Sequence, residues 1–380
     1  METTSFSLGT VPPLLMPPPV IAPPPPPKPR RSRGWMITTI ILFVLLVFSV
    51  FVIFTQFISS ALSFNDGFKG GITREMGPRL DEYVLQDNDA ANKIAVIPVE
   101  GIITDQRTDR TDNSMVDVIR AQLDHAKKDH RVKAVVLKVD SPGGEVLASD
   151  EINKAIARFQ EDSGKPVICS MGSLAASGGY YISAPCRWIV ANPLTITGSI
   201  GVILHTWNYR GLMDKVGLAP VTYKSGKFKD MLSGDRSTNE IPAEERAMVQ
   251  GLIDETYQQF KSVVAEGREA AHEKNKMEGR ALVADWANYA DGRVLSGTQA
   301  CKLGFVDGLG DFRDAVKRAQ EIAGLRNANL IEYRERYDIS NFLRLLGQSE
   351  SSHTIKLDLG MELPKLQAGE LYFLSPTFEN

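Results

Sequence analysis

The sequence predicts an α/β fold preceded by a single transmembrane helix, and three observations predict it. Apolar, β-branched runs alternate along the chain with segments whose apolar residues recur at helical spacing. One run, Val132–Val139, is apolar almost throughout, as strands buried on both faces of a parallel sheet are. Ahead of these, residues 35–58 (WMITTIILFVLLVFSVFVIFTQFI) carry no charge and exceed the ~20 apolar residues that cross a bilayer.

The chain has 380 residues and a net charge of −3. With no basic excess and no interleaving of aromatic and basic residues, it is not a nucleic-acid binder. More than half of its prolines fall between Val11 and Pro29, so residues 1–34 form an extended, polyproline-like tail that cannot bury a core. Lys28, Arg30, Arg31 and Arg33 stand before the apolar run, and little beyond Lys69 follows it. The positive-inside rule therefore keeps the tail cytoplasmic and exports the remainder. Ser59-Ser60-Ala61 would suit a cleavage site, but the length of the run favours an uncleaved anchor over residues 35–58.

Residues 59–92, mixed in Gly, Asp and Arg, read as a linker. Lys93–Thr104 (KIAVIPVEGIIT) is a first strand, and Ser114–Lys128 a helix with Val116, Val118, Ile119 and Leu123 on its apolar face. After the Val132–Val139 strand, Asp140-Ser141-Pro142-Gly143-Gly144 makes a turn into a helix over Glu145–Phe159. Val167–Ser170 is the next strand, and Ser177–Ser183 the next helix start. This alternation builds βαβ units. Trp188–Leu204 is β-rich around Thr197-Gly198-Ser199, and a Lys- and Gly-rich loop spans Lys224–Arg236. Pro242 opens the longest helix, with Glu244 and Glu245 in its first turn and Val249, Leu252, Thr256, Phe260 and Val263 along one face. Residues 326–380 are weakly patterned, a C-terminal extension of no assigned role.

The chemistry centres on CSMGSLAASGGYYISAP, Cys169–Pro185, in which small residues crowd around Ser177. A strand, a tight turn and a helix start would expose that hydroxyl beside backbone N–H groups and the positive end of a helix. A serine needs a base. His125, His130, His272 and His353 lie in polar or charged surroundings; His205 follows a strand-like stretch but has no evident acidic partner. Lysine is the better candidate. Lowering its pKa from about 10.4 to about 7.5 costs roughly 4 kcal/mol, which the fold must supply. Lys224, Lys227 and Lys229 share one loop, and the residues alone do not choose among them. The N–H of Gly178 and an N–H of the Gly143-Gly144 turn are candidate oxyanion donors. No Gly-Lys-Ser/Thr follows that turn, so it is not a phosphate loop. Cys169, Cys186 and Cys301 sit among apolar neighbours without metal-ligand spacing and read as buried thiols; no metal or cofactor is expected.

Five motifs, VDSPGG, GSLAASGGYYIS, TGSIGV, SGKFKD and DGRVLSGTQACKLGFVDGLG, occur in that order. Together they resemble the short, single-catalytic-domain form of the bacterial signal peptide peptidase A family, over roughly residues 93–325. The resemblance implies a Clp protease/crotonase-like core of repeated ββα units and a Ser–Lys peptidase domain. It matches Ser177 to the nucleophile, Lys229 to the general base, Ser199 to the hydroxyl that orients the lysine, and Gly144 and Gly178 to the oxyanion hole. It further implies a homo-oligomeric ring of about eight subunits whose dyad is shared between neighbours. The enzyme would sit in the bacterial cytoplasmic membrane with a periplasmic catalytic domain. There it would degrade signal peptides and other apolar peptides remaining in the membrane. The alternatives are a protease paired with stomatin-like proteins that cuts apolar tails, a crotonase-type acyl-CoA enzyme, and an inactive membrane scaffold. The long proline-rich tail and the segment beyond Arg326 depart from the family pattern.

Overall fold

A computed structural model of the protein describes residues 42–49, 77–107 and 113–336 and the backbone of 372–374. The chain divides into two units, Met1–Glu75 and Met76–Asn380. In the first, residues 42–49 form a helix (α1) with exposed side chains. The rest of the predicted 35–58 span and the proline-rich tail lie outside the described residues. Among the described residues no helix is long and apolar enough to cross a membrane.

The second unit contains β1 (Leu80–Gln86), β2 (Lys93–Glu100), α2 (Met115–Lys128), β3 (Val132–Ser141), β4 (Gly143–Glu145), α3 (Val146–Ser163), β5 (Val167–Ala176) and α4 (Gly178–Ser183). There follow β6 (Trp188–Ala191), β7 (Ile196–Gly198), α5 (Arg210–Lys215), α6 (Ala243–Lys274), β8 (Val294–Ser296), α7 (Gly297–Leu303), β9 (Gly308–Leu309), α8 (Phe312–Ile322), β10 (Asn329–Glu335) and β11 (Tyr372–Leu374). Among the described residues nine strands make one sheet in the order β1-β10-β2-β3-β5-β6-β9, with β7 pairing β5 and β8. Pairing is parallel except for β1 with β10 and β7 with β8.

Side-chain alternation along β3 explains its apolar run. Val135, Leu137 and Val139 join the core under α2 and α3, while Ala134 and Val136 join the one under α8. Both faces are covered, so neither set of positions tolerates charge. α2 starts where expected because Ser114 accepts the Asp117 N–H at 3.1 Å and Asp117 closes a capping box. Gly164, at φ 67°, ends α3.

Three features differ from the sequence expectation. β1 falls within the stretch read as linker, and β10 within the stretch read as extension. β10 pairs parallel with β2 and buries Leu330, Ile331 and Tyr333, while the largely exposed β1 (LDEYVLQ) joins it antiparallel through backbone pairing and forms the sheet edge. Pro242 is the N-cap of α6 rather than its first helical residue. The predicted apolar face of α6 is buried only from Phe260 onward; Leu252 remains 49% exposed. β11 pairs antiparallel with β4, placing Tyr372, Phe373 and Leu374 opposite Glu145, Gly144 and Gly143.

Candidate active site

The chain leaves the sheet at Ser177, as the small-residue motif predicts. Ala176 pairs with Gly198 at the end of β5, the Ser177 N–H donates to the Gly198 carbonyl at 2.8 Å, and the Ser177 carbonyl accepts the Tyr181 N–H at 2.8 Å to open α4. This reversal forces Ser177 to φ 53° and ψ −116°, a conformation that a residue with a Cβ rarely adopts. The side chain is 1% exposed, and its Oγ has no hydrogen-bond partner among the described residues. A buried hydroxyl left without a partner costs about 1–3 kcal/mol, so the position is poor for stability alone.

Glycines let the backbone close around this hydroxyl. A Cβ on Gly178 would lie 2.6 Å from Ser149 Oγ and 3.1 Å from the Gly144 nitrogen, so the turn after β3 abuts the start of α4. A Cβ on Gly144 would lie 1.9 Å from the Ile103 carbonyl oxygen. The Ile103 N–H donates to the Gly143 carbonyl at 2.9 Å, and the Glu145 N–H donates to the Ile103 carbonyl at 2.8 Å. The Gly143–Gly144 peptide is trans, so a carbonyl aimed at Ile103 sends the Gly144 N–H to the opposite edge. That is the edge along which β11 lies.

Ser199 follows the glycine that accepts the Ser177 N–H. It is 4% exposed at φ 50°, and its N–H donates to the Arg293 carbonyl at 2.8 Å. Beside it, the Arg293 guanidinium bonds the Asp291 carboxylate and holds its pKa down at about 2. On the other side of Ser177, burial pushes the Tyr180 phenol and the Cys186 thiol well above their ordinary ranges, so both stay neutral.

Lys229 stands apart. It is exposed and holds no side-chain partner among the described residues, whereas Lys224 pairs with Asp230 at 2.8 Å and Lys227 pairs with Glu244. The loop is fastened to the first turn of α6, where Arg236 meets Glu245 at 2.8 Å. The nucleophile helix is fastened farther along, where Tyr181 packs edge-on against Phe260 at 4.9 Å. About 15 residues separate Glu245 from Phe260, roughly 22 Å of helix. The lysine-bearing loop and the nucleophile helix thus meet the same helix at different points. The geometry brings Ser177, Gly178, Gly144 and Ser199 together, and no hydrogen bond joins the exposed Lys229 to Ser177 Oγ.

Ser177 Oγ engages no histidine, and His205 is exposed. Among the described residues no cluster of His, Cys, Asp or Glu is arranged to hold a metal. Sequence reasoning passed over Ser149, which backs Gly178 from α3, and Ser141, whose hydroxyl accepts the Gly143 N–H at 3.1 Å. The signal for Ser141 lay within the DSPGG motif; Ser149 had none, being an ordinary helical serine in sequence.

An α/β sheet that delivers a buried, unpartnered serine hydroxyl to a strand–helix turn beside paired glycines defines the class of serine-hydrolase-like sites. Comparison with known proteins gives the family. The sequence profile of peptidase family S49 matches residues 159–326. A protein of Enterococcus faecium provisionally named signal peptide peptidase SppA is 36% identical over 258 residues, 67% of this chain and 71% of that one. A Synechocystis sp. protein provisionally named a protease is 43% identical over 198 residues, 52% of this chain and 66% of its own. Protease 4 of Salmonella typhi is 36% identical over 247 residues, 65% of this chain but 37% of that longer protein. The chain belongs to peptidase family S49. It spans just under two thirds of the Synechocystis relative and well under half of protease 4.

Proposed function

We propose that the protein is a membrane-anchored serine endopeptidase that degrades signal peptides remaining in the membrane after their release. The observation that carries the reading is the Ser177 hydroxyl, buried and unpartnered, beside a strand edge that accepts an extended backbone. Protease substrates bind as extended strands, and main-chain pairing is indifferent to most side chains. Ser177 Oγ attacks the substrate carbonyl and passes its proton to Lys229 Nζ. The tetrahedral oxyanion accepts the N–H groups of Gly178 and Gly144. Collapse expels the amine, which takes the proton back, and water then releases the acyl group by the same path in reverse. Ser199 orients the lysine.

An exposed Lys229 without a side-chain partner, and a buried Ser177 hydroxyl that it does not reach with a hydrogen bond, favour a dyad completed by the next subunit. A homo-oligomeric ring of about eight, closed by symmetry, would give every serine a neighbour's lysine. The exposed N-terminal half of α6 and the exposed Trp207, Leu212, Val216, Val221 and Tyr223 supply apolar surface for that contact. The uncharged run at 35–58 would hold the ring at the bacterial cytoplasmic membrane, with the tail of 1–34 cytoplasmic and the domain of 93–325, enlarged by β1 and β10, periplasmic.

The test uses the full chain in detergent with casein and an apolar fluorogenic peptide. Wild type should cleave, and Ser177→Ala and Lys229→Ala should each be inactive. Co-expression of the two variants should restore roughly a quarter of wild-type activity, the fraction of interfaces in a random ring that unite an intact serine with an intact lysine. Activity surviving Lys229→Ala would remove the lysine from the mechanism.

A further inference from the structure

We infer that Ser141, which the proposed chemistry leaves unused, is a positioning residue for the oxyanion hole. The inference rests on the assignment of Ser177 as nucleophile and Gly144 as an oxyanion donor. Ser141 is the last residue of β3, is fully buried, and pairs in register with Ala175 just before the nucleophile turn. Its hydroxyl accepts the Gly143 N–H at 3.1 Å across Pro142. Its own carbonyl lies 2.9 Å from where a Cβ of Gly179 would be, so only a glycine there lets α4 settle against it. Ser141 thus touches both walls of the site at once.

The hydroxyl acts through one peptide plane. Gly143 sits at φ 103°, a region that glycine enters freely and leaves as freely, so nothing intrinsic holds it there. Two hydrogen bonds do. The Gly143 carbonyl accepts the Ile103 N–H at 2.9 Å, and the Gly143 N–H donates to Ser141 Oγ at 3.1 Å. Together they fix the planes on either side of the Gly143 Cα, and with them the direction of the Gly144 N–H. With the hydroxyl removed, the buried Gly143 N–H loses its acceptor and φ is free to relax. The Gly144 N–H then no longer points where negative charge develops. Misaimed donors cost most in the transition state, because the ground-state carbonyl oxygen is not yet in the hole.

The experiment compares wild type, Ser141→Ala and Ser141→Thr as full chains, with Ser177→Ala alongside. For Ser141→Ala we expect a loss of kcat of roughly 10- to 100-fold with KM within about twofold. Inhibition by a peptide aldehyde, whose hemiacetal oxygen fills the hole, should weaken in parallel with kcat, while a non-cleavable peptide of the same sequence should bind unchanged. Ser141→Thr retains the acceptor and should recover most of kcat. A Ser141→Ala enzyme with unchanged kcat overturns the inference. So does a loss of kcat with undiminished aldehyde affinity, or a loss that Ser141→Thr fails to recover while its thermal unfolding matches wild type. Persistent activity in Ser177→Ala would instead overturn the assignment on which the inference stands, so the two failures read differently.

Discussion

Ser177 holds a backbone conformation that its side chain opposes. At φ 53° and ψ −116° the Cβ crowds the neighbouring peptide, and such placements cost on the order of 1–3 kcal/mol. Glycine carries no such cost. Ser177→Gly should therefore be more stable than Ser177→Ala by about 1 kcal/mol or more and unfold at a higher temperature, although both lack the hydroxyl. Thermal melts of the two variants decide the point, and equal stabilities would show that the turn is not strained. The same crowding explains why the motif is built from small residues. A methyl at 178 would strike both Ser149 Oγ and the Gly144 nitrogen, and a methyl at 144 would overlap the Ile103 carbonyl. These glycines are fixed by contact distance before any catalytic demand is considered.

Elements are tied into position by buried polar pairs as well as by the sheet. Arg268 of α6 is 1% exposed; it donates to the carbonyls of Ala184 and Cys186 at the end of α4 and forms an ion pair with Asp307. Asp307 in turn accepts the Ile189 N–H at 2.8 Å, linking α6 to β6. Asp307→Asn leaves the Arg268 charge buried without a counter-ion and should destabilise the protein by about 3–5 kcal/mol. Urea unfolding measures it, and a loss below about 1 kcal/mol would mean that the carbonyls alone hold the guanidinium. Much of this arrangement was legible beforehand. β3 showed in its near-continuous apolar run, and the β5–Ser177–α4 turn showed in its small residues, since both signals are local. β1 and β11 were not legible, because the charged β1 is a strand only through its pairing with β10, and the three residues of β11 only through theirs with β4. The apolar face of α6 shows in the sequence, yet Leu252 in its N-terminal half is exposed; periodicity reports that a face is apolar, not what covers it. Lys229 was chosen from its loop by family resemblance, since all three lysines look alike in sequence. The structure engages Lys224 and Lys227 with carboxylates and leaves Lys229 free among the described residues.

At the scale of the whole molecule, β11, far along the chain, lies against the candidate site. β4 has two edges: Ile103 takes one, and the Gly144 N–H lies on the other with β11. A strand edge pairs with one partner at a time, so a peptide substrate reaches the Gly144 edge only by displacing residues 372–374. The displacement subtracts the tail's pairing energy from substrate binding and leaves the bonding changes at Ser177 untouched. A chain ending at Leu371 should therefore show a KM several-fold lower, by a factor on the order of the effective concentration of a tethered competitor divided by its dissociation constant, with kcat unchanged. Added back as a free peptide, residues 371–380 (LYFLSPTFEN) should inhibit the truncated enzyme competitively. They should affect the full chain much less, because there the tethered copy already holds the edge. Steady-state kinetics of the two proteins, with and without the peptide, test this directly. Identical KM values with no inhibition would place the tail elsewhere in the working enzyme. A fall in kcat on truncation would instead make β11 a support for β4, part of the machinery that aims the Gly144 N–H.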